Sequence, residues 1–232
     1  MFIGSSINRF SRTAEYPDVL YPVYTNSTNH IAIAGNIQNI QEGDIVFAFI
    51  TDDDSSCTVT SPGWTAVVVP TETNSIEHLI YYKVMGAVID ASLTLSANMD
   101  NIILFAFRGI DPSRIKLSSV VTAVGTTITP ASITVEEDNS VVILFAAIDK
   151  DETYLASYDK NYLAVLKAAV STHGSAAMLV RQHVPAGTET PGNLVWASDD
   201  NLLIYTMSIP PVITEVYNSG IWSLKDVYED EI

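Results

Sequence analysis

Two stretches of this chain repeat one pattern of short apolar runs, and runs of that length and composition suit strands. The first stretch holds runs at 45–50, 65–69, 79–84 and 102–107, and the second at 140–148, 162–166, 176–181 and 202–207. They are rich in β-branched and aromatic residues, which fit a pleated, buried surface. Turn chemistry separates them, as in Glu42-Gly43-Asp44, Ser61-Pro62-Gly63, Asn98-Met99-Asp100-Asn101 and Gly109-Ile110-Asp111-Pro112. Setting Ile37 on Ile133 lays the run from Ile45 on the run from Val141. Trp64 then falls on Tyr162 and Asp100-Asn101 on Asp200-Asn201, the offset drifting from 96 to 100 residues. A few inserted loop residues account for the drift. The expectation is an internal duplication, with copies over about 31–109 and 127–208.

Each copy alone would bury little surface. Two copies placed face to face would bury both apolar faces in one core. The expected fold is therefore all-β: an antiparallel β-sandwich of jelly-roll or Greek-key type over 31–209. Both ends lie outside the repeat. Residues 1–30 carry Tyr16, Pro17, Tyr21, Pro22 and Tyr24, and proline holds its neighbour out of the α region, so an extended N-terminal arm is expected. Residues 210–232 leave through Pro210-Pro211 and form a C-terminal arm, with Ser223 placed to cap a short helical turn presenting Trp222, Leu224, Val227 and Tyr228. Aromatic arms dock on a neighbouring subunit or fold back on their own sandwich. Tyr16, Tyr21, Tyr24, Trp222, Leu224, Val227 and Tyr228 are the candidate assembly residues.

Charge narrows the function. Against 11 Lys and Arg stand 27 Asp and Glu, a formal charge of −16, which repels nucleic acid and anionic membrane surfaces. The 47% hydrophobic content can build a core, and a disordered chain would carry less. A single cysteine, Cys57, leaves no intrachain disulfide and no cysteine-based zinc site. The first ten residues lack a basic region followed by an apolar one, and no apolar run reaches membrane-spanning length. A protein made in the cytosol, with no membrane insertion, is expected.

No catalytic motif stands out. His30, His78, His173 and His183 form no paired spacing, and they read as surface or strand histidines. There is no Gly-x-Ser-x-Gly elbow and no phosphate-binding Gly-Lys loop. The acidic loops at 52–54 and 149–152 occupy equivalent places in the two copies. They read as solvated loop tips, with calcium binding the alternative hypothesis. Trp64 and Trp196 flank strands and are expected in the core rather than on a sugar-stacking surface. No catalytic residue, cofactor or metal is assigned.

One ordered series remains: Gly43-Asp44-Ile45-Val46-Phe47-Ala48-Phe49, Ser61-Pro62-Gly63-Trp64-Thr65, Tyr81-Tyr82-Lys83 and Ala106-Phe107-Arg108-Gly109-Ile110-Asp111. It resembles a pattern in virion-associated β-sandwich proteins of tailed bacteriophages, and the stretch from Ser219 to Tyr228 resembles the ends of phage structural proteins. The resemblance spans about 43–111 and 218–229; the second copy lacks the Gly-Trp-Thr and Phe-Arg-Gly elements. It implies a virion component: a tail fibre, tail-tip appendage, baseplate part or head decoration. The expected protein is a non-enzymatic tail or host-attachment component. It would assemble with other virion proteins and with itself, a trimer being favoured. The alternatives are a capsid decoration protein, a glycan-binding module using Tyr81, Tyr82 or Trp64 on a host surface glycan, and a polysaccharide depolymerase.

Overall fold

A computed structural model describes residues 11–14, 18–52, 56–151, 153–170 and 174–216, without the side chains of 11–19, 21–22, 26–27, 167–170 and 214–216. After β1 (Ser11–Ala14) come β2 (Asp18–Ala32), β3 (Ile45–Asp52), β4 (Thr65–Thr73), β5 (Ile76–Val84) and β6 (Ser92–Arg108). These last five form one sheet in the order β2-β6-β3-β5-β4. A 3-10 turn at Pro112–Arg114, capped by the Asp111 carboxylate, and β7 (Lys116–Leu117) lead into the second half.

The second half holds β8 (Val121–Ile128), β9 (Ile133–Val135), β10 (Ser140–Ile148), β11 (Leu155–Ser157), β12 (Leu163–Val170), β13 (Ser175–Val184), β14 (Gly187–Glu189), β15 (Leu194–Ile209) and β16 (Ile213–Val216). Its main sheet runs β8-β15-β10-β13-β12, with β7 and β11 also on β15. Every pairing between these strands is antiparallel. The molecule is an all-β sandwich. Counted along each half, both sheets share one connection pattern: first strand, fifth, second, fourth, third. The chain finishes one sheet before starting the other. The sheets are therefore not interleaved in the jelly-roll manner named among the expectations.

Three apolar layers hold the sandwich. Between the sheets lie Phe47, Phe49, Phe105 and Phe107 from the first and Phe145, Met178, Leu203 and Met207 from the second. The Phe145 ring stands 4.7 Å from Phe49 and 5.4 Å from Phe105, within the range of favourable aromatic pairs. The outer face of the first sheet (Val46, Ala48, Ile50, Ile102, Leu104) packs under Ile33, Ile37, Cys57, Leu93 and Leu95. The outer face of the second (Val142, Leu144, Ala146, Leu202, Ile204) packs under Ile133, Val135, Leu155, Tyr162 and Trp196. β3 and β10 are thus buried along their whole length on both faces. That is why their apolar runs are continuous instead of alternating. The covers come from connecting segments, from the short strands β9 and β11, and from the first parts of the long strands β6 and β15. β6 has 17 residues, and its first part carries Leu93 and Leu95 beyond the five-stranded region, tied to the 57–61 segment by the Val59–Leu95 bridge.

Parts of both expected arms are paired strands. Residues 18–30 are extended as expected, but they belong to β2, paired with β6 from Asp18–Arg108 to Ala32–Ser92. The register slips between Leu20 and Val23, where Pro22 has no N–H to give, and β2 is an edge strand, the place a sheet tolerates proline. At the other end, Pro210 and Pro211 are buried, and the Asp111 and Val212 N–H groups bond Pro210 and Gly109 carbonyls at 2.9 and 3.0 Å. β16 then pairs with β1, Thr13 opposite Thr214.

Candidate functional site

A cluster of buried carboxylates, a thiol and a histidine gathers at one end of the sandwich, where β3 and β10 finish and β5 begins. Strand register places them. Asp52 lies opposite Glu77 in the β3–β5 pair, and Glu72 opposite Glu77 in the β4–β5 pair. Three carboxylates therefore share one row across three strands. Like charges set directly opposite repel. Glu77 is only 7% exposed and its Oε1 has no hydrogen-bond partner. Burial first, then Glu72 and Asp52, raise its pKa above the usual carboxylate value. Asp52 is better placed, because its Oδ2 accepts the Asp100 N–H at 3.1 Å. Cys57 lies buried close by, its thiol pushed up to about 12 by burial and then by Asp52 and Glu77. At neutral pH it is a protonated thiol packed as a small hydrophobe, not a nucleophile.

Asp52 and Asp149, one from each acidic loop, line the same small cavity between the sheet ends, together with Thr51, Asp100 and Asn101. Its volume of about 10 Å³ is the size of one water. Asn101 donates from Nδ2 to Thr51 Oγ1 at 3.3 Å, while its buried Oδ1 has no partner. Structure thus brings together Asp52 and Asp149, the first residues of the two stretches that the sequence had placed at equivalent positions. Asp53, Asp54 and Glu152 lie outside the described residues. Among the described residues no three His, Cys, Asp or Glu side chains converge to hold a metal ion.

Just inside this end sits His78, fully buried between the sheets. Its Nδ1 stands 3.1 Å from the Ile76 carbonyl and its Nε2 2.7 Å from the Tyr205 hydroxyl. A carbonyl only accepts, so Nδ1 carries the proton and Nε2 accepts from Tyr205. The ring is neutral, and burial lowers its pKa. His30 and His183 lie on the surface, and His173 falls outside the described residues.

The aromatic candidates divide. Trp196 is a core residue; Trp64 is half-buried against the outer cluster of the first sheet. Tyr81 packs with that outer cluster and Tyr82 with the core between the sheets, so the adjacent tyrosines face opposite ways. Trp64, Tyr81 and Tyr82 consequently form no common stacking surface. Tyr24, on edge strand β2, is 36% exposed. Tyr21 lies in β2 without a described side chain, and Tyr16, Trp222, Leu224, Val227 and Tyr228 lie outside the described residues.

The motif series has a structural role that the sequence reading missed. Asp44 of Gly-Asp accepts both Arg108 Nε and Nη2 of Phe-Arg-Gly, at 2.7 and 2.8 Å. Lys83 of Tyr-Tyr-Lys donates to the Pro62 carbonyl of Ser-Pro-Gly-Trp at 2.9 Å and pairs with Asp90. Four separate motifs are thereby joined as two contacts that close the first sheet's unit. Opposite charge at strand ends was the only available signal, and it does not choose partners. No protein-family model matches the chain, and neither the curated proteins nor the solved structures compared with it include a match.

Proposed function

We propose that this chain is a non-enzymatic structural component of a bacteriophage virion, part of the tail or host-attachment apparatus. In this reading an internally duplicated double-sheet body is joined to its neighbours through the two chain ends. The motif series over 43–111 and the ending at 218–229 support the virion assignment by resemblance. The shared connection order of the two sheets supports the duplication. The observation that carries the attachment role is the β1–β16 pairing. It starts the segments leading to both ends side by side, which offers one gripping point where two separate arms would give two. Absence of turnover is supported by the state of the reactive groups, with His78 sealed and neutral and Cys57 a buried, protonated thiol. Self-assembly into a trimer, with other virion proteins as partners, belongs to the same reading.

Removing 218–232 tests it. The truncated chain is expected to keep its β spectrum and melting profile while losing incorporation into particles. Normal incorporation would overturn the attachment role. Labelled full-length protein absent from intact particles would overturn the virion assignment itself. Solution mass tests the trimer separately.

A further inference from the structure

We propose that the His78–Tyr205 pair is an acid-sensitive latch between the two sheets, closed while the imidazole is neutral and weakened when it takes up a proton. His78 belongs to β5 of the first sheet and Tyr205 to β15 of the second, and their rings stand 5.4 Å apart. Their hydrogen bond is a direct side-chain link between the sheets beside the apolar cluster that fills the interface. A buried link of this kind is worth most when both partners are satisfied.

Geometry sets the consequence of protonation. The Ile76 carbonyl already holds the Nδ1 proton, so an added proton must go on Nε2. Nε2 then becomes a donor facing Tyr205 Oη. The tyrosine hydroxyl must turn its own hydrogen away, into a core where Tyr205 is only 6% exposed. Among the described residues the new positive charge also meets no counter-ion facing it. Directly opposite His78 stand Thr51 on β3 and Thr71 on β4, and Tyr205 is itself backed by Phe145 on β10. The nearby carboxylates of Asp52, Glu72 and Glu77 belong to the other face of the first sheet, and Asp149 lies at the end of β10. An unneutralised buried charge is costly, and the lowered pKa of His78 follows from that burial.

The sign follows from linkage. The unfolded chain binds a proton at His78 near pH 6.5, whereas the folded chain binds it only at lower pH. Above about pH 7.5 this residue adds no pH dependence. As pH falls below 6.5 it withdraws stability, up to about tenfold in the unfolding equilibrium for each pH unit, until the folded-state pKa is reached.

The test compares full-length wild type with His78→Gln and Tyr205→Phe by thermal melts and urea titrations between pH 8 and pH 5. Wild type is expected to lose stability relative to His78→Gln as pH drops through this window, and hydrogen exchange in β10 and β15 to quicken with it. An identical pH slope in His78→Gln would overturn the latch. Should that variant fail to fold, the wild-type imidazole nitrogen resonances decide. A neutral ring protonated at Nδ1 down to pH 5.5 supports the proposal. Titration at the ordinary value in the folded protein refutes it. Because the readout is sheet-on-sheet stability, its failure would leave the virion assignment standing, and loss of that assignment would leave the latch standing.

Discussion

Asp44 and Arg108 stand 64 residues apart in the chain, yet two hydrogen bonds join them at the base of the first sheet. The Asp44 side chain is 1% exposed and that of Arg108 34%, so the pair is desolvated mainly on the acid side. Asp44 Oδ2 also accepts the Gln41 N–H at 2.8 Å, and Arg108 Nη2 reaches the Asn39 carbonyl at 3.0 Å. Removing one partner of such a pair leaves a buried charge unmatched, which costs more than the pair itself contributes. Arg108→Leu is expected to lose about 2–3 kcal/mol in urea denaturation, the low side of the range for buried pairs because Arg108 is partly solvated. A loss of a few tenths of a kcal/mol would show that solvent or another cation replaces the arginine. Sequence displayed both residues in its most distinctive motifs but gave no hint that they answer each other. Ion pairing depends on where strand ends meet in space, and neither residue's neighbours in the chain encode that.

Single strands carry the next level of argument. The β4–β5 hairpin turns on Asn74 and Ser75, both with positive φ (55° and 60°), the backbone that a two-residue hairpin turn needs to match strand twist. Asn tolerates this conformation best among residues with a side chain. Here its amide also reaches the Ala123 and Leu202 carbonyls of the second sheet, at 3.1 and 3.4 Å. Local chemistry thus shapes the turn while a non-local contact anchors it. β10 shows the reverse balance. Its run Ser140–Ile148 was legible as a strand from composition alone, but which face meets which layer was not, because a run apolar at every position has no alternation to read. Structure points Phe145 at Phe49 and Phe105 in the middle of the sandwich. Phe145→Ala is expected to cost about 3–5 kcal/mol by chemical denaturation, with an unchanged dependence on denaturant. A cost below about 1 kcal/mol would mean that the sheets close over the gap.

For the molecule as a whole, the decisive fact is that the core between the sheets belongs to both halves. Phe47, Phe49, Phe105 and Phe107 are covered only when Phe145, Met178, Leu203 and Met207 lie over them. Each half carries its own outer cluster, but neither can hide its inner face from water alone. Unfolding of the full chain is therefore expected as one cooperative transition, coincident by circular dichroism and by fluorescence. A fragment of 18–108 alone is expected to expose that face and bind a hydrophobic dye. Two separated transitions, or a soluble, dye-silent fragment with native dispersion, would show instead that the halves are independent domains.

Sequence by itself determined that the chain is all-β, where most of its strands run and that two stretches resemble each other. β-branched and aromatic runs between turn residues act within a few neighbours, so such information is local. Tertiary structure alone decided that residues 18–30 complete a sheet and that Asp52 and Asp149 share one cavity. It alone joined Asp44 to Arg108, and it alone sealed His78 against Tyr205. Each of these depends on partners dozens of residues away. Burial and hydrogen bonding are properties of the space around a side chain, and that space exists only once the sheets have packed.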